Sequence, residues 1–489
     1  MLKQTVEQSE IIEVANSGVN LKINALAGSG KSTTLAMISH EFDALGKTGM
    51  YLAFNKSIAT EAKEKMATSC ECRTAHSLAY SKTDRALIKK LSYKPLSNYI
   101  LAKKYDIEKK FFNDLSGAKR CFSAITQVTM IKNTIVHWCN SADEKLERKH
   151  IATGSWMDDH VPDGVRKDID SLVFKCAKEL LAEMLDTSNN VAITHDLYLK
   201  LFTLSKKCKL KVDYLMIDEA QDLNPCLLDF ISKQDCQIIC VGDHYQSIYQ
   251  WRGAVNAMQL IESDVTKHLT QSFRFGGDIV TKANTVLKWA GFEKDLIGTD
   301  KEFTPNENID CYIARSNLGA LGTYFNLLDS GKKPHIAFDL SDVKRFVNHW
   351  NCIKSGIECK QPHHLLGSFM HEAVVMSYIK ETKDVDLARC VNIAEEYGHL
   401  INDENHKTYS EDESDCMVIT AHKSKGLEWN TVALVDDFNM FNDKDEPIET
   451  VGEVNLVYVA LTRAKQQLMV NPTVGLWLDV IKEKMNEIK

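Results

Sequence analysis

The sequence predicts an α/β protein built on open parallel sheets, and three observations carry that prediction. Tyr214-Leu215-Met216-Ile217 and Ile238-Ile239-Cys240-Val241 are short apolar runs suited to strands covered on both faces, and Leu21-Lys22-Ile23-Asn24 reads as a third strand. Each run ends in a turn rich in chemistry, at the carboxyl end of the strand where open α/β sheets bind ligands. Finally, Thr33 to Leu45 carries Leu35, Ile38, Phe42 and Leu45 at helical spacing directly after the first turn.

The first turn, Ala25-Leu26-Ala27-Gly28-Ser29-Gly30-Lys31-Ser32-Thr33, has the composition of a phosphate cradle. Gly28 and Gly30 let the backbone fold its N–H groups inward, and the helix that follows adds the positive end of its dipole. Lys31 then reaches outer phosphates and the Ser32 hydroxyl ligates magnesium, so Ala27 through Thr33 are the candidate nucleotide-binding residues. Ala25 stands where the strict pattern has a glycine, while the Gly-Lys-Ser end is intact. After the second run come Asp218 and Glu219, a pair that divides the work of hydrolysis. Asp218 holds magnesium and Glu219 polarises the attacking water. Together the two stretches imply a site that hydrolyses a nucleoside triphosphate with Mg2+.

Composition bounds the remainder. At 489 residues and 44% hydrophobic content the chain is long enough for three or four structural units. It has no apolar run of eighteen residues and no signal-peptide core at Met1 to Glu7, so the expectation is no membrane partner and a cytoplasmic location, or a nuclear one in a eukaryotic host. Fourteen cysteines scattered through apolar stretches read as reduced thiols. Neither Cys70-Glu71-Cys72 nor the loose group Cys352, Cys359, His363 and His364 has a zinc spacing. A net charge of −8 excludes a protein coated in basic surface, though a local cationic groove with aromatic platforms suffices for single strands.

The third run leads into such a platform. Gln246 is placed to sense a terminal phosphate, and Tyr249, Trp251 and Arg252 follow within six residues, the combination that stacks on unpaired bases. With these residues the chain resembles superfamily 1 DNA helicases of the UvrD/Rep/PcrA type, and within them the F-box DNA helicase branch. The resemblance rests on collinear blocks: Gln8, Phe54 to Ala59, Thr74 to Tyr80, Arg252 to Ala257, Leu269 to Gly276, Ala314 to Asn317, Thr420 to Trp429 and Tyr458 to Lys465.

The resemblance implies that Gln8 reads the adenine edge, that Phe273, where the family often has Tyr, stacks on the ring, and that Glu428 contacts the ribose. It also implies that Arg274 and Arg463 reach the terminal phosphate from the second motor domain. Arginines aimed at charge developing on a transferred phosphoryl group stabilise its transition state. For nucleic acid it implies Phe54, Asn55 and His76 in the first motor and Trp251, Arg252 and His422 near the interface of the two.

The architecture so implied is two RecA-like parallel-sheet motor domains, one from about 1–80 and 205–265, the other from about 266–335 and 411–489. A mainly helical insertion, about 81–204, interrupts the first, with helical patterning at 88–91, Ala118 to Met130 and Val173 to Leu185. A reduced insertion, about 336–410, interrupts the second, and the acidic stretch from Asn402 to Asp415 reads as a flexible return. Only 24 residues follow Lys465 and no F-box-like segment precedes Gln8, so neither a nuclease domain nor an F-box is expected.

The function implied is ATP-driven movement on single-stranded DNA and single-strand/duplex junctions, 3′ to 5′, unwinding duplex or stripping bound protein. The alternative is a DNA-stimulated ATPase that serves as a switch or recruiting subunit among protein partners of repair, recombination or defence.

Overall fold

The computed structural model describes residues 4–115, 117, 119–152, 161–248, 256–300, 308–363, 365–366, 369–382, 385–402, 409–442 and 444–487. In chain order its strands are β1 (Leu21–Ala25), β2 (Gly49–Ala53), β3 (Cys70–Thr74), β4 (Lys110–Asn113), β5 (Lys119–Phe122), β6 (Tyr214–Ile217), β7 (Gln237–Gly242), β8 (Val265–Leu269), β9 (Cys311–Ala314), β10 (Pro334–Ile336), β11 (Cys416–Thr420), β12 (Trp429–Leu434) and β13 (Ala464–Met469). They form a six-stranded sheet of order β3-β2-β6-β7-β1-β8, a five-stranded sheet of order β10-β11-β9-β12-β13 and the hairpin β4-β5. Every pairing in the two large sheets is parallel.

Strands buried on both faces divide their side chains between two cores by strict alternation. On the first sheet Tyr51, Tyr214 and Met216 face a core shared with Ile11, Leu35, Ile38 and Phe42 of helices Val6–Asn16 and Lys31–Ala44. Leu52, Leu215 and Ile217 face the opposite way, into a core with Trp138, Val173 and Leu197 of the first insertion. On the second sheet Met417 and Ile419 pack with Val286, Val457 and Trp477, while Cys416 and Val418 pack with Leu321, Phe325, Trp350 and Val391. Trp350 and Val391 belong to helices Ser341–Lys354 and Val385–Ile401, so the second insertion covers one face of that sheet.

Two expectations are corrected. Ala118 to Met130 is not one helix: β5 ends at Phe122, Ser123 caps the next helix by accepting the Thr126 N–H at 3.0 Å, and the helix runs Ala124–Asn140. Phe122, which continues the helical spacing in sequence, belongs instead to the hairpin, where the Phe112 and Phe122 rings stack at 5.3 Å. The passage between lobes also falls later than 265/266, because β8 pairs with β1 along its whole length and the chain leaves the first sheet only after Leu269. No helix among the described residues is long and apolar enough to cross a membrane.

The lobes share apolar contacts. Leu26, Ala27 and Ile248, at the ends of β1 and β7, lie in the same core as Phe275, Val457 and Tyr458.

Candidate nucleotide cleft and nucleic-acid contacts

The loop between β1 and helix Lys31–Ala44 turns on two left-handed glycines, Gly28 at φ 71° and Gly30 at φ 78°. A side chain at Gly28 would meet Ser272 Oγ at 2.6 Å and Arg274 Cβ at 2.7 Å, so the crossing segment after β8 lies against the loop. Its hold is reinforced where the Phe273 N–H donates to Gly28 O at 2.8 Å and the Tyr458 hydroxyl accepts the Ala27 N–H at 3.2 Å. The Ser29 hydroxyl turns back onto Leu26 O at 2.7 Å.

The ends of β6 and β7 bring carboxylates and an amide to this loop. Asp218 Oδ2 accepts two hydroxyls, Tyr51 at 2.6 Å and Ser32 at 3.2 Å, while Oδ1 accepts the Glu219 N–H at 2.8 Å. A hydroxyl and a carboxylate converging at a helix N-terminus are hard oxygen donors of the kind magnesium takes, so Ser32 and Asp218 fit that ion. Burial and the Glu219 charge push the Asp218 carboxyl up. Burial also works against ionised Glu219, but Lys31, Lys425, the Gln221 amide and Arg463 outweigh it and hold its carboxyl down at about 2. Lys31 Nζ stands 3.8 Å from Glu219 Oε1. Glu219 itself sits at φ 52°, ψ 41°, a left-handed conformation that costs a non-glycine residue of order 1–3 kcal/mol and aims its side chain into the cleft.

The other wall is cationic. Arg463 donates through Nη2 to Gln246 Oε1 at 3.3 Å and to Thr462 Oγ1 at 3.0 Å, and through Nε to Val459 O at 2.8 Å. Gln246 in turn donates to Asp243 Oδ2 at 2.6 Å. Arg274 donates to Thr462 O at 3.0 Å and pairs with Glu428 at 2.7 Å. Burial and the Arg274 charge both pull the Arg463 guanidinium down, against Glu219, Tyr458 and Asp243. Two mutually repelling guanidiniums facing a lysine-bearing loop suit a polyanion between them.

At the helix end of the loop, a side chain on Gly30 would lie 3.4 Å from the Phe273 ring and 3.5 Å from Gln8 Nε2, so these two residues flank one spot. Gln8 is 3% exposed; its amide accepts the Thr5 N–H and donates to the Thr34 hydroxyl, both at 3.1 Å. Phe273 leaves 48% of its surface free. Glu428 is turned to Arg274 and, at 3.8 Å, to Lys465.

Of the expected nucleic-acid contacts, Phe54 and His76 meet in a cleft of 870 Å³ that extends to Asp218 and Glu219 and is roofed by Asn133, His137 and Asn140 of the first insertion. His76 stands 3.7 Å from Asp196 and edge-on to Tyr198. Asn55 does not line that cleft; its side chain accepts the Ile58 N–H at 2.9 Å and caps helix Lys56–Lys65. His422 belongs to the second lobe, in helix Ala421–Ser424, where burial and Arg315 pull its pKa down. Tyr249, Trp251 and Arg252 lie outside the described residues, as does 403–408 of the acidic return.

Comparison with known families is decisive at this point. Residues 5–265 match the UvrD/REP helicase N-terminal domain, and residues 369–474 match the UvrD-like helicase C-terminal domain. The chain belongs to the UvrD/Rep helicase family. Among curated relatives, this UvrD/Rep-family chain is 28% identical to F-box DNA helicase 1 of Gallus gallus over 96% of its own length and 49% of the relative's. It is 30% identical to F-box DNA helicase protein 1 of Schizosaccharomyces pombe, over 96% of the chain and 57% of the relative. A probable DNA helicase of Mycoplasma pneumoniae is 22% identical over 94% and 82% of the two chains. The chain thus spans about half the length of the two F-box helicases it matches.

Sequence reasoning gave no role to Tyr51, Asp222, Asp243, Lys425 or Tyr458, all of which structure the cleft of this UvrD/Rep-family protein. The one local hint was Tyr51, a hydroxyl in the middle of an otherwise apolar strand, since a buried tyrosine oxygen needs a partner.

Proposed function

We propose that this protein is an ATP-driven DNA motor that travels 3′ to 5′ on single strands and unwinds duplex or displaces bound protein. The observation that carries this reading is the meeting of the loop Ala27–Thr33 and the Asp218–Glu219 pair with Arg274 and Arg463 across one cleft between the two sheets. The DNA helicase names of its relatives support the substrate class.

In this reading the triphosphate lies along the N–H groups of Ala27 to Ser32, with Lys31 released from Glu219 to the outer phosphates. Ser32 and Asp218 would hold magnesium, which would supply positive charge against the phosphates. Glu219, ionised by its cationic neighbours, accepts a proton from the attacking water. Gln246 senses the terminal phosphate, and Arg274 and Arg463 stabilise charge on the outer oxygens. Gln8 and Phe273 hold the adenine and Glu428 turns from Arg274 to the ribose. Closure and reopening of the cleft shift the two DNA grips, Phe54, Asn55 and His76 on one side and Trp251, Arg252 and His422 on the other. Trp251→Ala then costs about 1–3 kcal/mol of single-strand affinity through loss of one stack.

The deciding experiment measures ATP hydrolysis with single-stranded DNA, RNA and duplex side by side, and strand displacement on substrates with a 3′ or 5′ tail. Stimulation by single-stranded DNA with displacement from the 3′ tail is expected. Stimulation without displacement selects the switch or recruiting role, and no stimulation refutes the motor.

A further inference from the structure

A lysine of the second lobe is buried in the first. Lys425, just after helix Ala421–Ser424, donates to Asp222 Oδ2 at 2.5 Å and to Gln246 O at 2.6 Å. The Lys425 side chain is 8% exposed and that of Asp222 only 1%. Asp222 follows β6 and Gln246 follows β7, so a single ammonium ties both loop ends of the hydrolysis site to the opposite lobe.

A charge pair this deeply buried is maintained only while both members are present, because each alone faces the full desolvation penalty. Asp222 is especially dependent on its partner: its Oδ1 has no hydrogen-bond partner among the described residues. The pair also sits where it reaches the chemistry. Lys425 fixes the main chain of Gln246, whose side chain is held between Asp243 and Arg463, and its charge acts on Glu219.

We infer that Lys425 is a positioning residue, a latch that holds the lobes closed with Asp222 as its catch and sets Gln246 only in the closed form. The inference rests on the nucleotide-cleft reading above for its catalytic consequence. Opening withdraws the ammonium from both acceptors at once, so the Gln246 loop is released together with Asp222 and lobe engagement is linked to the geometry of the hydrolysis site.

The test uses the full chain carrying a dye pair, attached through non-natural residues at the exposed positions Glu64 and Lys482, with and without magnesium and the non-hydrolysable analogue AMP-PNP. Lys425→Met, which keeps the side chain's bulk, and Asp222→Asn are compared singly and together. Each single variant is expected to shift the inter-lobe transfer distribution away from that of the wild type. Each is also expected to lower kcat for ATP at least tenfold with KM changed less than threefold, and the double variant to be no worse than Lys425→Met alone. Lys425→Arg is expected to restore part of the closed population. A Lys425→Met distribution identical to wild type, or losses from the two substitutions that simply add, overturns the latch. Failure of the nucleotide reading shows itself separately, as no AMP-PNP binding by the wild type. The latch is then judged on the free protein, whose transfer distribution Lys425→Met must still alter.

Discussion

The hydroxyl of Tyr458 accepts the main-chain N–H of Ala27, 431 residues away, at 3.2 Å, so the phosphate-type loop of one lobe is shaped by a helix of the other. Tyr458 is wholly buried in helix Val451–Leu461. Tyr458→Phe leaves that N–H unsatisfied and is expected to cost about 1–3 kcal/mol, seen as a lower urea midpoint. Tyr324→Phe is the control: its buried hydroxyl has no partner among the described residues, so its removal relieves a desolvation cost and is expected to leave the midpoint no lower or to raise it.

Glu219→Gln keeps the loop Ala27–Thr33 and removes the proposed base. Affinity for a fluorescent ATP analogue is expected to stay within about threefold and turnover to fall at least about a hundredfold. A variant that still turns over at a tenth of the wild-type rate takes Glu219 out of the chemistry.

The same carboxylate has a pH signature. Its folded pKa, about 2, lies below the ordinary 4.5, so its contribution to stability is present above pH 4.5 and drains away as pH falls toward 2. The gap between wild-type and Glu219→Gln denaturation midpoints is therefore expected to move against the wild type as pH drops from 5 to 3. A gap constant over that range contradicts the ionised, cation-held state.

Asn55 separates a structural from a recognition role. Asn55→Asp preserves the helix cap, since a carboxylate accepts the Ile58 N–H equally well, and thermal stability should hold. The added negative charge should weaken single-strand binding measurably at low salt if the residue faces phosphate. Unchanged affinity makes Asn55 a cap alone.

Phe273→Ala removes the half-exposed ring beside Gly30 and Gln8. Loss of one stack, about 0.5–1.5 kcal/mol, predicts adenine nucleotide binding weaker by about two- to twelvefold, with Phe273→Tyr near wild type. Titration with a fluorescent nucleotide reads both.

What the sequence disclosed followed the range of the forces involved. β6 and β7 were legible because strands covered on both faces need apolar residues throughout, and the loop Gly28–Ser32 because left-handed turns demand glycine at fixed spacing. The hairpin β4-β5 was hidden, since Phe122 followed by an amphipathic helix continues an apparent helical period across the Ser123 cap. Tyr51, Lys425 and Tyr458 carried no local signal as to partner: their contacts lie 167, 203 and 431 residues away, and only the folded chain brings them together.

Helices of both insertions double as one wall of each large sheet: Trp138, Val173 and Leu197 shield Leu52, Leu215 and Ile217, and Trp350 and Val391 shield Val418. An engineer seeking a minimal two-sheet core therefore has no dispensable segment to excise at either place. Trimming residues 81–204 lays bare a greasy flank of the very strands that end in Asp218, and the truncated product is expected to precipitate before its catalysis can be assayed.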